Sequence, residues 1–180
     1  MSIGFVAGED APVVWRGPLL GQAVQQFLSQ VEWGELDYLL LDLPPGTGDI
    51  PLTLSQTIEL SGAVVVTTPQ EVALQDVERG IAMFQKVEVE TLGLIENMSY
   101  YLCPHCQVRH EIFGHGGGRE AAATLGIEFF GELPLEAAIR AAGDQGRPLV
   151  LAAPDSASSR AFAEIAAKLA AAVQRLAEGR

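Results

Sequence analysis

Short apolar clusters, separated by glycine, proline or charge, follow two kinds of pattern along this chain. Continuous apolar runs predict strands buried on both faces, and apolar residues at helical spacing predict helices between them. The predicted strands lie at 3–7, 36–41, 63–66, 91–96 and 127–130, and the predicted helices at 21–31, 52–60, 71–87, 119–125, 136–142 and 157–176. This alternation predicts an α/β fold with a mostly parallel sheet flanked by helices, formed by residues 1–180 as one domain.

One segment, residues 98–116, departs from this alternation and is interpreted as an insertion in the domain. It is rich in aromatic residues and histidines, has no clear period, and contains both cysteines of the chain, Cys103 and Cys106. A single Cys-x-x-Cys pair indicates metal or redox chemistry rather than a disulfide framework.

Two thiolates at this spacing can bind one metal centre, but they supply only half of the four ligands that tetrahedral zinc or a [4Fe–4S] cluster requires. A twofold homodimer would complete the set, because each subunit brings an identical pair to the axis. Three alternatives remain open: a zinc site within one chain that adds His110 and His115, a thioredoxin-like dithiol, and a pair of unreactive thiols.

A second group of candidate residues follows the predicted strand 36–41. Asp42 would lie at the carboxyl edge of the sheet, where ligands bind in this class of fold, and can hold a magnesium ion through water. Gly46 leaves room for a backbone N–H to approach a terminal phosphate. This is the layout of the magnesium side of a nucleotide site in a P-loop fold, although a plain turn with Asp49 as a helix N-cap explains the same residues.

The part of a nucleotide site that grips phosphate has no counterpart in this sequence. A P-loop needs glycines followed by Lys and then Ser or Thr, whereas neither lysine of the chain, Lys86 or Lys168, follows a glycine. Asn97, at the end of the predicted strand 91–96, can pair with an adenine edge or cap the turn that follows.

Charge and hydropathy restrict the partners. The formal net charge is -12 and the basic residues are scattered, so we expect no binding to nucleic acid, whose phosphates require a basic surface. No apolar cluster approaches the ~20 residues that span a bilayer, and no charged-then-apolar leader is recognised. We therefore expect a cytoplasmic protein without a membrane partner.

Several stretches together resemble the Mrp (ApbC-like) family of iron–sulfur cluster carrier ATPases, a branch of the deviant P-loop NTPases that also contains MinD and ParA. In order, these stretches are Ser2-Ile3-Gly4-Phe5, Trp15-Arg16-Gly17-Pro18, Asp37 through Asp49, Thr67-Thr68-Pro69-Gln70, Glu96-Asn97-Met98-Ser99, Cys103-Pro104-His105-Cys106, Phe113-Gly114-His115-Gly116-Gly117-Gly118 and Gly146-Arg147-Pro148. The resemblance covers nearly the whole chain and is specific as a set.

The resemblance implies a homodimer that binds a labile [4Fe–4S] cluster at its interface and passes it to apo iron–sulfur proteins, with ATP and Mg²⁺ as further cofactors. By position, Cys103 and Cys106 resemble the cluster ligands, Asp42 resembles the Walker-B carboxylate, and Asn97 resembles the adenine-side asparagine. The alternative is a non-catalytic zinc-binding or protein-interaction remnant of such an ATPase.

The family carries its Walker-A loop upstream of the segment that matches Met1. We therefore expect this chain to be an N-terminally truncated, P-loop NTPase-like domain that has no ATPase activity alone. The lost segment would normally supply strands of the sheet, so strand edges or hydrophobic faces are expected to be uncovered.

Overall fold

The computed structural model describes residues 1–2, 17–43 and 49–179, which fall into two compact units, Met1–Leu60 and Ser61–Arg180. In chain order the elements are α1 (Gly17–Gln30), α2 (Asp49–Thr57), β1 (Ala63–Thr67), α3 (Glu71–Lys86), β2 (Thr91–Glu96), β3 (Tyr101–Leu102), β4 (Arg109–His110), α4 (Gly117–Leu125), β5 (Phe129–Glu132), α5 (Ala137–Asp144), α6 (Leu149–Ala152) and α7 (Ala157–Gly179). The predicted strand 3–7 lies outside the described residues, and the single domain over 1–180 stays a prediction.

A parallel sheet in the order β1-β2-β5 forms the centre of the unit Ser61–Arg180. Leu94 of β2 lies opposite Val65 of β1 and Phe129 of β5. The predicted α/β fold with a parallel sheet is thus confirmed. The strands predicted at 63–66 and 91–96 are present, whereas the one predicted at 127–130 lies instead at Phe129–Glu132.

Helices cover both faces of this sheet. Neighbouring residues of one strand point to opposite faces of the sheet. Phe129 and Phe130 are an example, because they pack into two different hydrophobic clusters. One cluster contains Val77 and Ile81 of α3, and the other contains Ile165 of α7. Phe130 and Leu94 are almost fully buried. This two-sided burial explains why the strands are apolar runs without alternation.

The unit Met1–Leu60 confirms two predicted helices and contradicts one predicted strand. Helices α1 and α2 overlap the predicted helices 21–31 and 52–60, although α2 already ends at Thr57, and Ala23 and Leu54 are buried. The predicted strand 36–41 is wrong, because these residues form no strand and Leu40 is 80% exposed. A strand needs a neighbour for its backbone hydrogen bonds, and the described residues of this unit contain none. An apolar run alone does not supply that neighbour.

The segment between β2 and α4 contains a small antiparallel hairpin, which the sequence pattern did not predict. β3 and β4 pair through Tyr101 with His110 and through Leu102 with Arg109. Two-residue strands are too short to give a readable period. Among the described residues, no helix combines the length and the apolar character that crossing a membrane would need.

A buried carboxyl group holds the two ends of this segment together. Glu96 ends β2 and is 0% exposed. Its Oε1 accepts a hydrogen bond from the Ser99 hydroxyl at 2.6 Å, and its Oε2 accepts one from the Gly118 N–H at 2.5 Å. A Cβ at Gly118 would lie 2.8 Å from Glu96 Oε2, so only glycine allows this close approach. The carboxyl group thus links the strand to the first turn of α4.

We expect Glu96→Ala to lower the free energy of unfolding by about 2–4 kcal/mol, because two buried donors lose their acceptor. Glu96→Gln should cost clearly less, since an amide oxygen can accept from Gly118 and its N–H₂ can donate to the Ser99 oxygen. Urea denaturation checks both values.

Glu128→Ala is the matched control, because Glu128 is an exposed acidic residue that pairs with Arg175. Loss of an exposed ion pair should cost less than about 1 kcal/mol. Equal costs for Glu96→Ala and Glu128→Ala would contradict the assigned role of the buried carboxyl group.

Candidate functional site

The two cysteines lie at the tip of the hairpin formed by β3 and β4. The Cys103 N–H donates to the Val108 carbonyl at 3.0 Å, and the Gln107 N–H donates to the Cys103 carbonyl at 2.8 Å. Gln107 has a left-handed backbone, with φ of 57°, which lets the chain turn tightly behind the cysteines. Both thiols are free; Cys103 is partly buried and Cys106 is exposed.

Hydrogen bonds converge on the sulfur of Cys103. The backbone N–H of Cys106 and the backbone N–H of His105 donate to it, and the Cys106 side chain also contributes, so the pKa of the Cys103 thiol is lowered. The thiolate is the form that binds metals and attacks electrophiles. The turn therefore favours the metal-binding form at Cys103 through its own hydrogen bonds.

The histidines named in the single-chain zinc alternative do not join the cysteines. His110 lies in β4, where its ring faces Tyr101 at 6.4 Å between centroids. Nδ1 of His115 lies 3.1 Å from Glu111 Oε1 and 3.3 Å from an Arg109 nitrogen. Within the described ranges, no three His, Cys, Asp or Glu side chains are grouped to hold a metal ion. In the part of the chain that the structure describes, Cys103 and Cys106 therefore offer a metal two ligands.

An arginine connects the hairpin to the sheet. Arg109 of β4 has Cζ 4.1 Å from the centroid of the Tyr100 ring and donates from Nη2 to Glu132 Oε2 at 3.4 Å. Glu132 belongs to β5, and its side chain is 18% exposed. Its other oxygen accepts from Arg119 of α4 at 3.1 Å. Glu132 therefore binds one cation from the hairpin and one from the helix that follows it.

Asp42 and Gly46 are the residues expected on the magnesium side of a nucleotide site. Asp42 is exposed and follows an irregular segment rather than the end of a strand. Gly46 lies outside the described residues. Helix α2 begins at Asp49. The predicted roles of Asp42 and Gly46 consequently stay predictions.

Asn97 follows β2 directly at the carboxyl end of the central strand. Its N–H donates to the Thr67 carbonyl of β1 at 2.7 Å, and its side-chain oxygen accepts from the Met98 N–H at 2.9 Å. Met98 has a left-handed backbone, with φ of 53°, which costs free energy for a residue other than glycine. Asn97 thus caps the turn, one of its two predicted roles, and its adenine contact stays a prediction.

Sequence reasoning assigned no role to the side chains of Glu96, Arg109 and Glu132. A charged residue at the end of a mostly apolar strand, followed by a serine three positions later, is a signal that could have identified Glu96. No local pattern identifies Arg109 and Glu132, because they are 23 positions apart in sequence.

The sequence of this chain is similar to a known family and to several named proteins. The family described as "ParA: NUBPL iron-transfer P-loop NTPase" matches residues 1–170. The "Iron-sulfur cluster transfer protein NUBPL" of Dictyostelium discoideum is 49% identical over 169 residues, which are 94% of this chain and 52% of that protein. The "Iron-sulfur cluster carrier protein" of Synechocystis is 48% identical over 178 residues, 98% of this chain and 50% of that protein. The chain spans about half the length of the curated relatives it matches.

Solved structures agree with the fold. A nucleotide-binding protein from Archaeoglobus fulgidus, in complex with ADP, is similar with a TM-score of 0.65 and 46% identity, over 72% of this chain and 53% of that one. The cell division ATPase MinD of Pyrococcus furiosus has a TM-score of 0.60 at 19% identity, over 83% of this chain and 56% of that one, and supports the fold alone. With its cysteine hairpin and parallel sheet, this chain belongs to the ParA-like NUBPL family of iron-transfer P-loop NTPases.

Proposed function

We propose that this chain is an iron–sulfur cluster carrier that binds a [4Fe–4S] cluster between two copies of itself and passes the cluster to apo-proteins. Cys103 and Cys106 of each copy are the proposed ligands. The observation that carries the proposal is the hairpin tip, where two free thiols lie together and backbone N–H groups donate to one sulfur. Relatives named as cluster carrier and transfer proteins support the same reading.

The chemistry of the donor set fits this cargo. Thiolates are the usual ligands of iron–sulfur clusters, and hydrogen bonds to the sulfur atoms are among the features that tune such sites. Two thiolates per chain leave two ligand positions to a second copy, which a twofold axis supplies. Free thiols also suit a reducing compartment, so we propose that the protein works in the cytoplasm.

Anaerobic reconstitution with iron and sulfide tests the cluster. We expect a brown protein with broad visible absorbance, about two irons and two sulfides per chain, and the mass of a dimer, since four ligands come from two chains. Cys103→Ala and Cys106→Ala should each remove the absorbance and the iron. Elemental analysis and native mass spectrometry provide these values.

His105→Ala is the matched control, because it changes one of the two residues between the thiols but keeps the backbone N–H that contacts Cys103. This variant should still bind the cluster. Colourless wild-type protein that carries zinc would instead support the zinc-binding or protein-interaction alternative, and cluster retention without both thiols would refute the proposed ligands.

The nucleotide part of the site is proposed separately. Asp42 is the proposed magnesium-side carboxylate, Gly46 the proposed phosphate contact, and Asn97 the proposed adenine contact. ATP and Mg²⁺ are the proposed cofactors, and the ADP-bound relative from Archaeoglobus fulgidus supports nucleotide as the ligand class. If they bind, the metal neutralises phosphate charge, while Asn97 orients the base from the end of β2.

We expect this 180-residue chain alone to release no phosphate from ATP above background. Phosphoryl transfer depends on a lysine and backbone N–H groups around the terminal phosphates. Lys168 donates instead to the Phe130 carbonyl at 2.7 Å, and Lys86 lies in the last turn of α3. A colorimetric phosphate assay with and without Mg²⁺ checks this expectation.

Asp42→Asn is the companion variant in that assay. Magnesium-dependent phosphate release that disappears in Asp42→Asn would contradict the expectation of an inactive chain. Release that is unchanged in the variant would identify a contaminating ATPase.

A further inference from the structure

The hairpin that carries the thiols has little structure of its own. Its strands pair through only Tyr101 with His110 and Leu102 with Arg109. An isolated two-stranded hairpin is at best marginally stable in water. The direction in which Cys103 and Cys106 point therefore depends on contacts between the hairpin and the rest of the unit.

The incoming limb of the hairpin is held by backbone hydrogen bonds. The Ser99 N–H donates to the Leu133 carbonyl at 2.9 Å, and the Leu135 N–H donates to the Tyr100 carbonyl at 2.7 Å. These bonds fix the chain before β3 against the segment that follows β5. They do not reach the outgoing strand β4.

The outgoing limb reaches the sheet through the Arg109 guanidinium. It lies on the face of Tyr100, which the incoming limb holds in place, and donates to Glu132 of β5. Arg109 Nε is also 3.7 Å from Glu111 Oε1, and an Arg109 nitrogen is 3.3 Å from His115 Nδ1. A planar guanidinium can stack on an aromatic ring and donate to a carboxylate at once, which an ammonium cannot do as well.

We propose that Arg109 is a positioning residue for the thiol pair: its contacts with Tyr100 and Glu132 hold the outgoing limb and so set the rate at which a bound cluster is released. This inference rests on the proposed cluster binding. The Arg109 side chain is 37% exposed, and such ion pairs add little to overall stability. Its loss should thus loosen the hairpin without unfolding the domain.

The chain offers a matched control for this arginine. Arg119 of α4 donates to the other oxygen of Glu132 and lies 4.5 Å from the centroid of the Phe129 ring. It therefore makes the same two kinds of contact, an ion pair and a cation–π contact, from outside the hairpin. Arg119→Gln removes one cation from Glu132, as Arg109→Gln does, but leaves the hairpin attached.

The first measurement uses the metal-free, reduced protein, so that it does not depend on cluster binding. In Arg109→Gln, amide hydrogen exchange should become roughly 3- to 10-fold faster in the hairpin, at the Cys103 and Gln107 amides, and stay unchanged in β2. Arg119→Gln should exchange like wild type at those amides. Unchanged hairpin exchange in Arg109→Gln, or an equal effect of Arg119→Gln, overturns the proposal.

The second measurement uses the reconstituted protein and an iron chelator. Arg109→Gln should lose visible absorbance several-fold faster than wild type and alter the visible circular dichroism of the cluster, whereas Arg119→Gln should do neither. Glu132→Gln should reproduce part of the effect of Arg109→Gln, because the contact of Arg109 with Tyr100 remains, and Arg109→Lys should restore part of the wild-type behaviour. Faster hairpin exchange with unchanged cluster loss would refute the control of release.

The two measurements separate this inference from the proposed function. Wild-type protein that binds no iron and sulfide refutes the cluster carrier and, with it, the role of Arg109 in release. The exchange data then still decide whether Arg109 holds the hairpin. Wild-type protein that binds the cluster, with identical release from both arginine variants, refutes only the role of Arg109.

Discussion

The hydrogen bonds of the buried Glu96 carboxyl group hold the chain on both sides of the cysteine hairpin. This carboxyl group lies at the carboxyl end of β2, the central strand, where the loops of a parallel sheet meet. Ser99 stands just before β3 and Gly118 lies in the first turn of α4, and both donate to this one group. Buried polar groups need partners, so the pairing leaves little freedom at either end. The hairpin therefore emerges from a fixed base.

Beyond that base the structure becomes less constrained. The strands of the hairpin pair over two residues each, and its tip carries one partly buried and one exposed thiol. Arg109 and Glu132 add a contact between the outgoing limb and β5. The order from base to tip is thus a buried carboxyl group, a partly exposed ion pair and free thiols. The base of the hairpin would orient a cargo bound at the tip, and the exposed tip would leave that cargo accessible to another protein.

The sequence predicted the buried layers well because each strand there is a short apolar run bounded by a turn. Val64, Leu94 and Phe130 are examples whose burial follows from that pattern. The same inference from an apolar run to a strand failed at 36–41. An apolar run indicates that burial is favourable, but it does not indicate which neighbouring strand would pair with its backbone. That the thiols of Cys103 and Cys106 lie close together could be predicted from their spacing alone. The contact between Arg109 and Glu132 could not, since it arises only when the chain folds.

The incomplete ligand set is itself an argument about the kind of chemistry this hairpin can perform. A centre used only for electron transfer gains from four ligands in one chain, because the cluster should stay in place. A carrier must release what it binds, and a site divided between two identical hairpins can open by separating them. Two thiols per chain would hold a cluster from one side without enclosing it, and hydrogen bonds at the hairpin tip lower the pKa of the Cys103 thiol. The same arrangement that leaves the site incomplete in one chain would make its cargo transferable between chains.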